Sequence, residues 1–303
     1  MQADPLVDQA AASPVATTKP PPLERAAGRA RIDFNLRQGV SVLGHLYQSG
    51  SAKLRLPRRH RGDILQAIVI NTSGGLTDGD SFALEANWLP GTTAALASQA
   101  AERIYKSRGA EAHITTRLKV GDGATAFWLP QETIMFDGGR LRRLCRVELG
   151  AGVRFLAVES LVYGRTAMGE TVARGAVRER FEIVAGGRLV WADAFAIEDG
   201  GGAIGAQLDR PAIAAGARAT ATVLALGPDP ARLLAAARSQ GEIADVHLAA
   251  SCREDIVIAR LLGPDGATLR CALTALLKAL KTVLLDDRPE ISDPSALPRV
   301  WAL

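Results

Sequence analysis

Carboxylates and hydroxyls beside glycine-rich turns are the residues of this chain best placed for chemistry. The densest group is the segment 71–80, NTSGGLTDGD, which holds three glycines, three hydroxyl side chains and two carboxylates. Glycine allows a positive φ and a close approach of the backbone, while Asn, Asp, Ser and Thr satisfy nearby amides. The segment therefore predicts either a structural turn between two strands or a place where oxygen atoms meet an ion or a partner.

Glu159 interrupts a nearly continuous apolar run at residues 155–162, FLAVESLV. A lone carboxylate in such a run costs several kcal/mol unless it is paired, hydrated or bound to a metal. We predict an arginine partner, with Arg165 and Arg103 as the candidates. The alternative is a hydrated interior lined by acids, which suits a hard or borderline divalent cation. Further carboxylates beside turns or inside apolar strands are Asp78, Asp80, Glu102, Glu132, Asp137, Glu170 and Asp193.

No recognisable catalytic motif accompanies these carboxylates. None of the histidines belongs to an H-E-x-x-H pair, and the chain lacks a G-x-S-x-G turn and a Walker phosphate loop. Cys145 lies among Arg142, Arg143 and Arg146, which favour a thiolate, but a buried strand thiol is the simpler interpretation. We therefore predict that no residue of this chain is catalytic.

Length, composition and charge limit the number of domains and the class of binding partner. The 303 residues, 48% of them hydrophobic, suffice for one large all-β domain or two ordinary domains. The formal net charge of +4 is small, and the basic clusters at 55–61 and 140–146 lack the interspersed aromatics that stack on bases. These clusters indicate solvated surface or an acidic protein partner, and they argue against nucleic acid.

Cysteine usage and the N-terminal segment indicate a compartment. Three scattered cysteines, Cys145, Cys252 and Cys271, form no CxxC pair, which favours a reducing environment and argues against a structural zinc site. Residues 1–25 are rich in alanine, proline and threonine, and they lack the basic start and continuous apolar run of a secretory signal. We predict a cytoplasmic protein with a disordered Ala/Pro-rich tail at residues 1–29.

The elements that must position these side chains are mostly strands. Short apolar or alternating runs, separated by glycine-containing turns, recur from residue 40 to residue 226. Their number, with little helix between them, indicates a sandwich, a barrel or stacked sheets, and no fixed sequence period marks a regular solenoid. The predicted strands are 40–47, 64–70, 82–89, 92–98, 112–120, 125–129, 141–149, 153–162, 172–184, 189–197 and 219–226.

Helices are predicted late in the chain. Asp229 followed by Pro230 is a helix start that opens residues 231–240. Leucines at helical spacing predict a long helix at about 267–285, whose apolar face packs on the β body or, as the minority alternative, on a partner. Strands at 243–249 and 256–261 lie between the two helices, and Trp301 is either buried or a docking residue.

Four separated segments carry a resemblance to a known family. They are NTSGGLTDGD at 71–80, SQAAERIYKS at 98–107, PQETIMFDGGRL at 130–141 and ESLVYGRTAMGE at 159–170. In this order and spacing the chain resembles the urease accessory proteins of the UreD family, also called UreH. The likeness runs from about residue 40 to residue 200, and it departs from the family pattern at Asp78, commonly glycine, and at Ser98, commonly threonine.

The resemblance implies a mainly β fold of helically stacked, β-helix-like sheets with a few α-helices, mostly towards the C-terminus. It implies a single domain over residues 30–303, including a helical portion at about 229–286. It also implies a non-enzymatic urease maturation factor that binds apo-urease and a UreF-type helical accessory protein. Through that partner it recruits a UreG-type GTPase and assists Ni²⁺ insertion, without a tightly bound cofactor and with Ni²⁺ bound only in transit.

A water-filled internal passage for nickel, proposed for the family, gives the acidic side chains a purpose. Oxygen ligands and water hold Ni²⁺ weakly enough for release, which suits a carrier better than a thiolate cage. No residue is assigned to partner binding, although the C-terminal helical segment ranks first as a docking surface. The residues that the resemblance assigns to the metal passage are Asp78, Asp80, Glu132, Asp137, Glu159 and Glu170, with Thr72 and Ser73 as its polar lining.

Two other functions fit the same residues. One is a β-rich hydrolase or lyase that uses paired carboxylates from Asp80, Glu132, Asp137 and Glu159. The other is a pure scaffold that positions partner proteins and contains no metal passage. Of the three, we favour the metal carrier.

Overall fold

The computed structural model describes residues 24–165, 168–241 and 245–301. Within these ranges the chain forms seventeen strands and three α-helices. The strands are β1 Ala27–Arg37, β2 Val40–Gly50, β3 Ala52–Arg55, β4 Leu65–Asn71, β5 Ser81–Trp88, β6 Thr93–Ser98, β7 Glu102–Ile104, β8 Ala112–Val120, β9 Thr125–Leu129, β10 Thr133–Met135, β11 Arg140–Leu149, β12 Arg154–Tyr163, β13 Ala176–Ala185, β14 Arg188–Glu198, β15 Ala219–Leu226, β16 His247–Arg253 and β17 Ile256–Gly263. The helices are α1 Ile204–Leu208, α2 Pro230–Arg238 and α3 Gly266–Leu285.

Seven of the described strands form the first sheet, in the order β2-β1-β5-β8-β11-β13-β14. Its five inner strands are parallel, and β2 and β14 join the two edges antiparallel. Along β5 and β8 buried and exposed residues alternate, which is typical of a sheet with one face in water. The first sheet therefore presents one apolar face to the rest of the molecule.

The second sheet runs β3-β4-β6-β9-β12-β15-β17-β16, and the short strands β10 and β7 extend from β12. Strands β4, β6, β9 and β12 are parallel, while the strands at both ends of the sheet pair antiparallel. All five residues of β9 are buried, because this sheet is covered on both faces. The second sheet is therefore the middle layer of the molecule.

From β4 to β13 the long strands alternate between the sheets, so that each turn of the chain adds one strand to each sheet. This is a solenoid-like stack. Successive turns differ in length, since β4, β6, β9 and β12 start at residues 65, 93, 125 and 154, and no fixed sequence period marks them. The predicted mainly β fold of helically stacked sheets, with few helices placed mostly towards the C-terminus, is confirmed.

Two apolar layers hold the stack together. One lies between the sheets, and the other lies between the second sheet and helices α2 and α3. Side chains of β12 alternate between the layers: Phe155 and Ala157 face the first sheet, whereas Leu156 and Val158 face the helices. The period of two along a strand thus decides which layer each side chain enters.

Both predicted helices are confirmed; each begins one residue earlier than predicted, and α2 ends at Arg238, two residues before the predicted end. Asp229 accepts a hydrogen bond from the amide of Arg232 at 2.9 Å, and Asp265 accepts one from the amide of Thr268 at 2.8 Å. The leucine face of α3 is buried against the second sheet. This burial removes the reason for ranking the helix first as a docking surface, because its apolar face is already covered within the chain.

The C-terminal segment closes over the same apolar layer. Trp301 is buried, and its Nε1 donates a hydrogen bond of 2.9 Å to the carbonyl oxygen of Leu129. The Arg270 guanidinium lies 5.1 Å from the ring centroid of Trp301 and donates to the carbonyl oxygen of Val300 at 2.7 Å. Trp301 is therefore part of the core.

Other differences from the predicted elements are local. The first strand begins at Ala27, inside the predicted tail of residues 1–29, of which residues 1–23 lie outside the described part of the chain. The strand predicted at 243–249 corresponds to β16, which starts at His247, and residues 242–244 also lie outside that part. The single domain over 30–303 stays a prediction. None of the described helices combines the length and the apolar character that crossing a membrane requires.

Candidate functional site between the two sheets

Three strands place charged side chains inside the layer between the sheets. On β11, Arg143 follows the same alternation as Leu141 and Cys145, which are buried there. Glu179 on β13 is the register partner of Arg143, and Glu159 on β12 faces both from the second sheet. The period of two that builds the core therefore also brings these three charges into it.

The three side chains form an ion-paired cluster. Arg143 Nε lies 3.3 Å from Glu159 Oε2, and Arg143 Nη2 contacts Glu179 Oε1. The remaining nitrogen, Nη1, donates a hydrogen bond of 2.9 Å to Thr133 Oγ1. Burial by itself would lower the pKa of Arg143, but the two carboxylates outweigh it and raise the pKa. The guanidinium therefore stays charged inside the molecule.

The predicted pairing of Glu159 with an arginine is confirmed, but both candidate partners are wrong. Arg165 binds Glu170 instead, with 2.9 Å between Nε and Oε2, and Arg103 is exposed. The true partner, Arg143, comes from the opposite sheet. Residues that meet across the inter-sheet layer have no fixed separation in sequence. The sequence therefore shows that Glu159 needs a partner, but it does not show which arginine that partner is.

Two cavities lie between the sheets, and the ion cluster separates them. Arg143 lines the first cavity, Glu179 lines the second, and Glu159 lines both. The first has a volume of about 200 Å³, and its other polar lining residues are Asn71, Ser98, Gln99, Glu102, Arg103, Thr116, Gln131 and Thr133. The second has a volume of about 270 Å³, and its other polar lining residues are Asp193, Thr220, Thr222 and Arg260. These polar lining residues of the two cavities, together with the ion cluster, form a strip through an otherwise apolar layer, and we call them the polar strip.

Burial raises the pKa of two carboxyl groups in this strip. The pKa of Glu102 is raised to about 7 by burial, although Asn71 Nδ2 donates to both carboxylate oxygens at 3.0 and 3.1 Å. Burial also raises the pKa of Glu179 to about 7, although the charge of Arg143 opposes the shift. Near neutral pH each carboxyl group is therefore partly protonated, and a change in the charges around it changes its protonation.

The Cys145 thiol lies in the same layer and is held in its protonated form. Burial raises its pKa well above the ordinary value, and the nearby charge of Glu159 adds to the shift. The adjacent arginines therefore do not make a reactive thiolate. The interpretation of Cys145 as a buried strand thiol is confirmed.

A second ion pair spans the two sheets beside the second cavity. Asp193 on β14 and Arg260 on β17 approach to 2.7 Å, and both line that cavity. Asp193 shares its alternation with Phe195, which packs into the inter-sheet core. The strip therefore contains two groups of charged side chains. One is the cluster around Arg143, and the other is the pair of Asp193 and Arg260 near the outer strands.

The carboxylates of the 71–80 segment tie this turn to neighbouring chain segments. Asp80 accepts hydrogen bonds from the amides of Ala26 and Thr77, at 2.8 and 2.9 Å. Asp78 accepts one from the amide of Ala110 at 2.9 Å, and this bond is the main reason why its pKa lies below the ordinary value. Asp78 also pairs with the Arg25 guanidinium at 2.9 Å, so among the described residues both carboxylates have structural contacts, which hold the turn against the segment before β1.

The turn also explains why glycine occupies its centre. Gly75 has a φ of 147°, and a Cβ atom there would come within 2.4 Å of the Tyr105 ring. Thr72 and Ser73 are exposed, and their hydroxyls donate hydrogen bonds to the carbonyl oxygens of Ser51 and Gly75. The two hydroxyls therefore hold the turn and do not line either cavity.

The remaining predicted passage residues are each engaged in a separate ion pair outside the two cavities. Among the described residues, Glu159 alone of the predicted passage set lines the polar strip. The separate pairs are Glu132 with Arg270 at 3.3 Å, Asp137 with Arg174 at 2.8 Å, and Glu170 with Arg165 at 2.9 Å.

The prediction of passage residues missed Arg143 and Glu179. Glu179 stands between Val177 and Phe181 on the inward alternation of β13, but its neighbours Arg178 and Arg180 hide it from the apolar-run signal that identified Glu159. No group of three or more His, Cys, Asp or Glu in the described ranges is arranged to hold a metal ion. The metal role of the predicted residues stays a prediction.

Known proteins similar to this chain identify its family. A family model described as "UreD urease accessory protein" matches residues 26–302. The chain belongs to the UreD family. The resemblance carried by the four segments is thereby confirmed, and membership of the UreD family gives the chain a role in urease maturation.

Relatives in the UreD family are similar over nearly the whole chain. "Urease accessory protein UreD" of Chelativorans sp. (strain BNC1) is 42% identical over 287 residues, which is 94% of this chain and 96% of the relative. The protein of the same name from Brucella suis (strain ATCC 23445 / NCTC 10510) is 40% identical over 286 residues, 93% of this chain and 96% of the relative. That of Xanthobacter autotrophicus (strain ATCC BAA-1158 / Py2) is 39% identical over 279 residues, 92% and 91%. The likeness therefore includes the helical portion after residue 200.

Glu102 makes the stability of this UreD-family chain depend on pH. Its pKa is higher in the folded chain, about 7, than the ordinary value of 4.5, so the folded state binds this proton more tightly. The stabilising contribution is complete below about pH 4.5 and is lost as the pH rises through about 7. We expect Glu102→Gln to remove about 2 kcal/mol of this pH-dependent change in the free energy of unfolding.

Urea unfolding of the wild type and of Glu102→Gln, at about pH 5 and about pH 8, measures this change. Glu148→Gln is the matched control, because Glu148 lies on β11 with a half-exposed side chain. The control is expected to keep the pH dependence of the wild type. An unchanged pH dependence in Glu102→Gln would contradict the prediction.

Proposed function

We propose that this chain passes Ni²⁺ to apo-urease through the polar strip between its two sheets. One observation supports the proposal most directly: Glu159 lines both cavities and so joins the polar residues of the first cavity to those of the second. Buried ion pairs are often no more stabilising than apolar side chains of the same volume. The charged cluster in the middle of this layer therefore favours a use other than packing.

The chemistry of the strip suits a metal that must be released. Carboxylate and hydroxyl oxygens line both cavities, and amide oxygens line the first; such ligands bind a borderline divalent cation less tightly than thiolates do. The buried Cys145 thiol stays protonated and is a poor ligand in that form. Ni²⁺ moves by exchanging oxygen ligands and water, and the chain holds no tightly bound cofactor.

The partners in this proposal are apo-urease, a UreF-type helical accessory protein and, through the latter, a UreG-type GTPase. The role in urease maturation follows from the family, whose members are named accessory proteins. GTP hydrolysis belongs to the GTPase, because the sequence contains no phosphate-binding loop. The cytoplasmic location stays a prediction.

A hydrolase or lyase with paired carboxylates is less well supported. Asp80 accepts from backbone amides, while Glu132 and Asp137 each pair with an arginine outside the cavities. Glu159 is the one member of this set that lines the inter-sheet strip. One of the four carboxylates therefore lines a cavity, whereas general acid and base catalysis on one bond needs two of them around one substrate.

The deciding experiment compares urease co-expressed with and without this chain, while the partner proteins are kept constant. We expect urease made without the chain to be nickel-poor and inactive. Nickel content by mass spectrometry and urea hydrolysis by the purified urease are the two measurements. Fully nickel-loaded urease in the absence of the chain would contradict the maturation role.

A further inference from the structure

Arg143 lines the first cavity and pairs with Glu159, which lines both cavities. Its side chain is 8% exposed and lies between the carboxylates of Glu159 and Glu179. Carboxylates at such a junction attract a divalent cation, but a buried guanidinium repels it. A passage for Ni²⁺ does not by itself explain why a fixed positive charge occupies this point.

The contacts of Arg143 hold it by charge more than by aligned hydrogen bonds. Nη1 donates to Thr133 Oγ1 at 2.9 Å, whereas Nε and Nη2 have no acceptor in regular geometry among the described residues. Both of these nitrogens nevertheless face carboxylates, those of Glu159 and Glu179. The guanidinium is therefore held mainly by its two ion pairs, and a competing cation would act on those pairs.

A further carboxyl group lies beside the hydroxyl that anchors Arg143. In the parallel pair of β7 and β10, Glu102 is the register partner of Thr133, and both residues line the first cavity. The Glu102 side chain accepts hydrogen bonds from the Asn71 amide, and the charge of Arg103, which lines the same cavity, also acts on it. A guanidinium that moves past Thr133 into the first cavity therefore approaches Glu102.

We propose that Arg143 is an exchangeable counter-ion that closes the passage and gives it a preference for divalent cations. The proposal rests on the proposed function, in which Ni²⁺ crosses from one cavity to the other. In the closed state the Arg143 guanidinium is paired with the carboxylates of Glu159 and Glu179. In the open state it pairs with Glu102, and a divalent cation takes its place between the two carboxylates.

The balance of charge explains the preference. A divalent cation between Glu159 and Glu179 neutralises both carboxylates once Arg143 has left. Above about pH 7, where Glu179 is ionised, a monovalent cation leaves one carboxylate uncompensated in a layer of low dielectric, and an anion adds to the negative charge. The exchange therefore favours a cation of charge two over the common monovalent ions.

Titration of the purified full-length chain with Ni²⁺, followed by calorimetry in a potassium buffer, tests the exchange. Arg143→Met removes the competing charge but keeps an unbranched side chain, and we expect Ni²⁺ to bind about tenfold more tightly than to the wild type. Arg142→Met is the matched control, because Arg142 is adjacent, exposed and paired with Glu111 at 2.7 Å. The control is expected to bind like the wild type, and adding Glu159→Gln to Arg143→Met is expected to abolish the gain.

A second variant tests the open state without touching the ion cluster. Glu102→Gln removes the carboxylate that receives Arg143, and we expect Ni²⁺ binding to weaken by about threefold to tenfold. Its fold is expected to persist, because glutamine keeps the contact with Asn71. Glu148→Gln, on an outward-facing position, is expected to leave binding unchanged.

The outcomes separate this proposal from the function on which it rests. Equal Ni²⁺ affinity in Arg143→Met and the wild type overturns it, as does a gain that survives Glu159→Gln or an unchanged affinity in Glu102→Gln. If Arg143→Met does not fold, the Glu102→Gln result decides. The titration needs no urease, so a negative result leaves the maturation role standing, whereas that role fails only in the co-expression experiment.

Discussion

Glu159→Gln is expected to lower the nickel content of co-expressed urease by about tenfold or more, while the complex with apo-urease and the accessory partners still assembles. Glutamine keeps the shape of the side chain but removes the charge that lines both cavities. The fold is expected to persist, because Arg143 retains Glu179 and Thr133 as partners. Nickel per urease and recovery of the complex by co-purification are the two measurements.

Asp80→Asn is the contrast for this experiment. The Asp80 carboxylate accepts hydrogen bonds from the amides of Ala26 and Thr77, so its loss acts on the fold. We expect Asp80→Asn to lower assembly and nickel loading together. The same joint loss in Glu159→Gln would assign Glu159 a structural role, and normal loading in Glu159→Gln would favour a scaffold without a metal passage.

Trp301→Ala is expected to lower the free energy of unfolding by about 3–5 kcal/mol. The indole ring is 4% exposed and lies in the apolar layer between the second sheet and the helices. Its Nε1 donates to the carbonyl oxygen of Leu129, and the substitution leaves this buried acceptor without its partner. Chemical unfolding of the full-length chain measures the loss.

Two further variants separate the causes of that loss. Trp301→Phe keeps most of the apolar volume but removes the donor, so we expect a smaller decrease of about 1–2 kcal/mol. Arg299→Ala changes an exposed side chain two residues away and is expected to leave stability unchanged. A Trp301→Ala variant as stable as the wild type would mean that the C-terminal segment is a surface attachment.

Strand prediction succeeded where periodicity and turn residues agree. The predicted strands 112–120, 125–129 and 219–226 match β8, β9 and β15 to the residue. The first strand was missed although Ala30, Ile32 and Phe34 alternate with polar residues, because its charged composition resembles that of a loop. Strands β7 and β10 have three residues each, which is too short for any periodic signal.

The acidic residues of the site also show where prediction from the sequence stops. Asp80 and Glu159 are equivalent candidates along the chain, since each is a carboxylate beside or inside an apolar run. In the folded molecule Asp80 accepts from one amide of its own turn and from the amide of Ala26 before β1, whereas Glu159 enters the layer between the sheets. Which amides surround a carboxylate depends on chain segments far away in sequence, and no local pattern reports it.

The family, the β-rich class, the starts of the long helices and the need of Glu159 for a partner could be read from the chain alone. Each of these depends on local spacing or on motifs that follow one another in sequence. The identity of Arg143 as the partner, and the inclusion of Glu102 and Glu179 in one polar strip, required the folded molecule. Strands of the two sheets lie opposite each other only after the stack has formed. Which charged side chains meet is therefore decided by the tertiary structure.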